Sequence, residues 1–149
     1  MPYETAEKLR NSYLETFPGI ATYNKKVNSM LTLKGYVENL YGRKYYIEDS
    51  SNFYKGSNYL IQGSCADMLK EIEIKICEYL SDKKSRFLMA IHDEVAIEVY
   101  KGEEYVVPII KNIMESVREK VPYIPIISEV EYTTTCWAEK SKWKDDKDA

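Results

Sequence analysis

The sequence predicts an α+β fold, an antiparallel sheet with helices packed on one side. Three observations predict it. Four stretches carry apolar residues at helical spacing, two pairs of short β-prone runs are each joined by a tight turn, and the order is helix, helix, hairpin, helix, hairpin, helix, strand. Strands joined by turns this short must run antiparallel, since a parallel pair needs a crossover of a dozen residues or more. The helices between them then cover a face of the sheet. At 149 residues, with 44% hydrophobic and 30% charged side chains, the chain has the size and composition of an ordinary globular domain.

From Thr5 to Phe17, the residues Leu9, Tyr13, Leu14 and Phe17 form one helical stripe, and Pro18-Gly19 interrupts it. Ile20, Tyr23, Val27, Met30 and Leu31 form a second stripe, closed at Lys34-Gly35, where lysine suits the negative helix end and glycine the C-terminal cap. Tyr36 to Leu40 and Lys44 to Ile47 are short β runs around Tyr41-Gly42-Arg43, and Glu48 to Lys55 is polar and loop-like. Ser64 and Asp67 have the spacing of a capping box, with Cys65, Leu69, Ile72, Ile76 and Tyr79 following as a core-facing stripe of a third helix that can begin earlier. Phe87 to Ile91 and Val95 to Val99 are apolar, which predicts two buried strands around His92-Asp93-Glu94. Tyr105 or Val106, Ile109, Ile110, Ile113 and Val117 mark a fourth helix, whose regular part has to start near Pro108. Ile124 to Tyr132 reads as a last strand, and residues 140–149 as a charged, frayed tail. No internal repeat and no domain-scale linker interrupts this order.

Cys65, Cys77 and Cys136 stand far apart with one histidine in the whole chain, which is not zinc-ligand spacing and reads as reduced thiols of a cytoplasmic protein. No run reaches the length of a membrane span, and the first residues lack a signal-peptide profile. A net charge of -3 excludes a polyanion-coating protein, so any contact with nucleic acid has to be local. Fourteen tyrosines and two tryptophans on their own describe a tyrosine-rich core and surface rather than a base-stacking platform.

Chemistry concentrates at His92-Asp93-Glu94. Two adjacent carboxylates on a stiff turn are hard oxygen donors of the kind Mg²⁺ accepts, with phosphates and water completing its shell. Taken alone, the same three residues are more often simply those of a solvated β-turn. Asn58 and Gln62, four apart and so on one helix face, are by themselves polar residues near a helix start, and Arg43 and Lys44 an exposed basic turn.

The segment Phe87 to Val99 resembles the motif C hairpin of family A DNA polymerases, an apolar strand, His-Asp-Glu and a second apolar strand. Gly35-Tyr36-Val37-Glu38-Asn39-Leu40-Tyr41-Gly42-Arg43-Lys44 is similar to that family's Gly-Tyr-Val-Glu-Thr-Leu-x-Gly-Arg-Arg, and Asn58 to Asp67 to its Asn-x-Pro-x-Gln-Gly-[Thr/Ser]-Ala-Ala-Asp. Phe17-Pro18-Gly19 and Cys136-Trp137 also fit, so the resemblance covers nearly the whole chain. It implies a C-terminal palm segment: tandem helices at 1–34, a palm core at 35–139 with the hairpin at 86–100, and the tail. It further implies that Asp93, with Glu94 as a supporting carboxylate, ligates Mg²⁺ in a two-metal site of roughly 3.5–4 Å separation that joins a nucleotide to a primer. His92 would lie near the primer terminus, Asn58 and Gln62 would read the minor groove of the primer–template, and Arg43 and Lys44 would meet phosphate.

Two positions depart from the pattern. Ala90 replaces a frequent glutamine and Tyr54 a frequent arginine, for which Lys55 is the neighbouring substitute. The family's Asp-Tyr-Ser strand and its helix with the lysine and tyrosine that hold the incoming dNTP have no counterpart in the sequence. The expectation is therefore a polymerase divided between polypeptides, with a second chain supplying those elements and burying the apolar faces left open here. The alternatives are a non-catalytic DNA-binding remnant of the palm and an unrelated α+β domain.

Overall fold

Pro18 is the first residue of a helix, where its missing N–H costs nothing, and it divides the N-terminal region into α1 (Tyr3–Thr16) and α2 (Pro18–Lys34). Gly35, at φ 75°, ends α2 in the left-handed conformation and returns its N–H to the Leu31 carbonyl. The chain then enters β1 (Tyr36–Glu38), which pairs antiparallel with β2 (Lys44–Tyr46) in the register Tyr36 to Tyr46. The computed structural model describes residues 2–143. They divide into two compact units, one up to Asp67 and one from Met68 on, the division falling inside the long helix α3 (Lys55–Leu80).

In the first unit, Val27 and Leu31 of α2 are buried with Val37 and Ile47, and Met30, Tyr45, Phe53 and Leu60 pack on this cluster. Gly56 and Gly63, two turns apart on α3, make the close approach possible. A Cβ on Gly56 would come within 2.8 Å of both Val27 and Leu31, and one on Gly63 would overlap the Tyr45 hydroxyl. Tyr45 is in turn stacked on Tyr59, ring centroids 5.2 Å apart.

Helix α3 starts nine residues before Ser64, so the expected capping box does not form. Ser64 lies in mid-helix and donates to the Leu60 carbonyl, and Asp67 is buried in a tertiary ion pair described below. The helix continues because nothing from Lys55 to Ser64 breaks it and Leu60 is held on the core. Between β2 and α3, the polar segment forms a short 3-10 turn (Ser50–Asn52) capped by the Asp49 carboxylate. Of the stripe assigned to the core, Ile72 and Ile76 are buried but Cys65 is exposed. The α1 stripe is also uncovered: Leu9, Tyr13 and Phe17 are each about half exposed, and no residue of α1 is buried.

The second unit buries Ile72, Ile76 and Leu80 of α3 together with Val106, Val107 and Ile110 of α4 (Val106–Glu115) and Val117 of the 3-10 turn that follows. Pro108 sits in the first turn of α4, where it breaks no hydrogen bond. Strands β3 (Arg86–Ile91) and β4 (Glu94–Glu98) pair antiparallel, and a short ribbon forms from β5 (Glu131–Tyr132) and β6 (Ser141–Lys142).

The α+β class holds, but its strands form three separate two-stranded antiparallel ribbons among the described residues rather than one sheet. Two strand expectations change as a result. Leu88, Met89 and Ile91 are exposed rather than buried, because among the described residues no further strand pairs with this ribbon to cover them. The expected strand from Ile124 to Tyr132 shrinks to its last two residues: Pro125 cannot donate to a ladder, the Ser128 N–H is taken by the Glu115 carboxylate, and the Val130 carbonyl alone extends the pairing by accepting the Trp143 N–H. The tail is ordered through β6 to Trp143, while residues 144–149 of the expected frayed segment lie outside the described residues. No described helix is long and apolar enough to cross a membrane.

Candidate active site at the β3–β4 turn

The hairpin reaches its tip through a register shift. Continuing the Phe87–Ile97 pairing would set Ala90 opposite Glu94, with three residues in the turn. An irregularity between Phe87 and Met89 advances the register by one, so that Ile91 faces Glu94 and only His92 and Asp93 connect the strands. Bulges of this kind re-aim side chains beside functional sites. The two-residue turn needs positive φ at its first position, and His92 supplies it at φ 57°, the only non-glycine residue to do so among those described. Histidine tolerates this conformation better than most side chains, but glycine would adopt it without cost.

His92, Asp93 and Glu94 are all exposed. The two carboxylates differ in their surroundings. Asp93 has no hydrogen bond or ion pair among the described residues. Glu94 lies 4.0 Å from the Lys140 ammonium, which also meets Glu131 at 3.1 Å and sits 4.6 Å above the Trp137 ring. Among the described residues no three His, Cys, Asp or Glu side chains converge to hold a metal ion. The donor set at the turn fits Mg²⁺ as a partial site, since that ion takes one or two protein carboxylates.

The base of the hairpin is held by Glu103. Its carboxylate accepts from the Ser85 hydroxyl (2.6 Å) and from the N–H groups of Ser85 (2.8 Å) and Lys84 (3.1 Å), and the buried Ser85 hydroxyl receives the Tyr100 N–H at 2.9 Å. The Ser85 hydroxyl, followed by the Lys84 amide, holds the Glu103 carboxyl below the usual glutamate range.

The remaining candidates lie in the first unit. Asn58 and Gln62 are exposed, one turn apart on α3, and neither amide is engaged among the described residues. Lys55 extends over the exposed Tyr54 ring at 5.7 Å, and Lys44 lies 4.8 Å over Tyr36. Arg43 is committed to an intramolecular partner: its Nε and Nη2 bind the two oxygens of Asp67 at 2.9 and 2.6 Å, which raises the guanidinium pKa further. Its side chain remains half exposed, at 52%, while that of Asp67 is at 7%.

Asn39, which the sequence did not single out, organises this turn. Its Nδ2 donates to Asp67, and its Oδ1 accepts the N–H groups of Tyr41 and Arg43 at 2.9 and 3.0 Å. Gly42, at φ 77°, completes the turn. The signal for Asn39 was present, since an asparagine three residues before a glycine is turn chemistry, but its link to Asp67 spans 28 residues and is not local.

Residues 1–139 match the family pattern for DNA polymerase family A, and the chain belongs to that family. It is 31% identical over 127 residues to the thermostable DNA polymerase I of Thermus aquaticus, a match covering 78% of this chain and 15% of that protein. It is 28% identical over 141 residues to DNA polymerase DpoZ of Salmonella phage PMBT28, covering 93% and 23%. Among solved structures it resembles the POL domain of Pol1 from M. smegmatis in complex with DNA primer-template and dNTP, with a TM-score of 0.70 and 26% identity over 78% of this chain and 23% of that one. The chain thus spans less than a quarter of each of these proteins.

Proposed function

We propose that this chain is the C-terminal palm part of a DNA-directed DNA polymerase, working in the cytoplasm on primer–template DNA and dNTP with the rest of the polymerase supplied by a second polypeptide. The observation that carries the reading is the Asp93 carboxylate, exposed and unpartnered among the described residues at a two-residue turn, inside the stretch that matches the polymerase family.

Asp93 would hold Mg²⁺ together with an aspartate from the second polypeptide, and Glu94 would support it. The metal, when bound, activates the primer 3′-hydroxyl and neutralises charge on the departing pyrophosphate. His92, the residue before Asp93 on the same turn, would contact the primer end. Asn58 and Gln62 offer amide donors to the minor-groove acceptors that every base pair shares, testing pair shape without reading sequence. Lys44 and Lys55 offer charge to the backbone phosphates, and Arg43 offers the N–H groups that Asp67 leaves unused.

Primer extension with Mg²⁺ tests the reading. The chain alone is expected to be silent, and a mixture with a polypeptide carrying the upstream palm and fingers to extend the primer. Silence from a mixture shown to assemble would instead support a non-catalytic DNA-binding remnant.

A further inference from the structure

We propose that Lys140 is a positioning residue that draws Glu94 toward the β5–β6 ribbon, leaving Asp93 as the carboxylate of the turn that is free to take a metal ion. The inference rests on the reading of Asp93 as a metal ligand and gives the different tasks of two neighbouring acids a structural cause.

The geometry makes the division. The Lys140 ammonium has three N–H donors and faces three electron-rich groups: Glu131 at 3.1 Å, Glu94 at 4.0 Å and the Trp137 ring at 4.6 Å. Its side chain is only 26% exposed, against 77% for Lys142 two residues on, so packing on the indole selects its position. Glu131 belongs to β5 and pairs with Lys142 of β6, while Lys140 immediately precedes β6. The ribbon therefore anchors the cation, and the cation reaches the hairpin turn only through Glu94. An exposed lysine–glutamate pair by itself stabilises little. Its consequence here is orientation. Lys140, shared with the nearer Glu131, offsets part of the Glu94 charge and holds that carboxylate toward the ribbon, which weakens Glu94 as a ligand for a divalent cation. Asp93, one residue away, has no such partner among the described residues.

Mn²⁺ is the probe, followed through paramagnetic broadening of the amide resonances of residues 92–95 in the full chain. In the unaltered protein, broadening is expected to be lost in Asp93→Asn and retained in Glu94→Gln. In Lys140→Ala it is expected at several-fold lower Mn²⁺, because the turn then offers two carboxylates, and adding Glu94→Gln should cancel that gain. Lys140→Arg should restore the original response, which a merely structural lysine would not require. If Glu94→Gln weakens broadening as much as Asp93→Asn, or Lys140→Ala leaves it unchanged while Asp93→Asn abolishes it, the role of Lys140 is overturned and the metal reading stands. Broadening that is indifferent to Asp93→Asn overturns the metal reading and this inference together. The Asp93 and Glu94 variants decide the question even if Lys140→Ala disturbs the ribbon.

Discussion

Gly63 shows how much can rest on one missing side chain. Its position in α3 leaves no room for a Cβ beside Tyr45, and Tyr45 cannot easily retreat because its other face is stacked on Tyr59. Gly63→Ala would improve helix propensity yet force that ring out of place, and overpacking of this kind costs about 1–3 kcal/mol. Thermal or denaturant unfolding should show that loss; an equally stable variant would mean that Tyr45 moves freely. Glu103 makes a prediction in pH. Folding lowers its pKa below the ordinary 4.5, so its contribution is complete above that value and disappears as pH falls through the folded value. Glu103→Gln should therefore lower stability near neutrality and reduce the loss of hairpin protection on acidification below pH 4.5, as amide hydrogen exchange of β3 and β4 would show.

At this scale the sequence was legible where chemistry is local. His92-Asp93 could be placed at a turn because apolar runs flank it on both sides, although Glu94, expected in that turn, is the first residue of β4. Asp67 could not be read correctly, because a carboxylate three residues after a serine fits a helix cap as well as it fits the tertiary pair with Arg43 and Asn39 that the fold selects. Lys140 was assigned to a frayed tail, since nothing in a run of charged residues signals the indole and two glutamates that hold it.

Among the elements, the β3–β4 hairpin joins sequence to site most directly. Its register shift fixes a two-residue turn, and that turn fixes the backbone of His92. His92→Val should destabilise the hairpin by about 1–2 kcal/mol, because a β-branched side chain is disfavoured at positive φ. His92→Gly should leave the hairpin at least as stable while removing the imidazole. Hydrogen exchange at Ala90 and Val95 distinguishes the two, and equal protection in both would show that the turn does not require positive φ. The helices were legible as a class because their apolar period is long and regular. The start of α3 was missed because Ser64 and Asp67 imitate a cap inside a helix that tertiary packing extends toward Lys55. The last strand was over-read for the opposite reason: residues 125–130 have β-prone side chains, but a strand also needs a neighbour, which local sequence does not contain.

For the molecule as a whole, uncovered apolar surface is the leading feature. Leu9, Tyr13 and Phe17 on α1 and Leu88, Met89 and Ile91 on β3 lie open in two separate units, although their sequence patterns are those of buried faces. Large exposed apolar patches of this sort mark surfaces that meet another protein segment. The sequence therefore anticipated the α+β class but not the three separate ribbons among the described residues, since one sheet was assumed where the strands pair only two by two.

The central claim is that Asp93 brings a carboxylate to a polymerase centre, and primer extension by Asp93→Ala in the reconstituted mixture, beside Glu94→Ala and the unaltered chain, tests it most directly. Asp93→Ala is expected to abolish synthesis with duplex binding largely intact, and Glu94→Ala to reduce it less. Synthesis by Asp93→Ala at the level of the unaltered chain would contradict the claim.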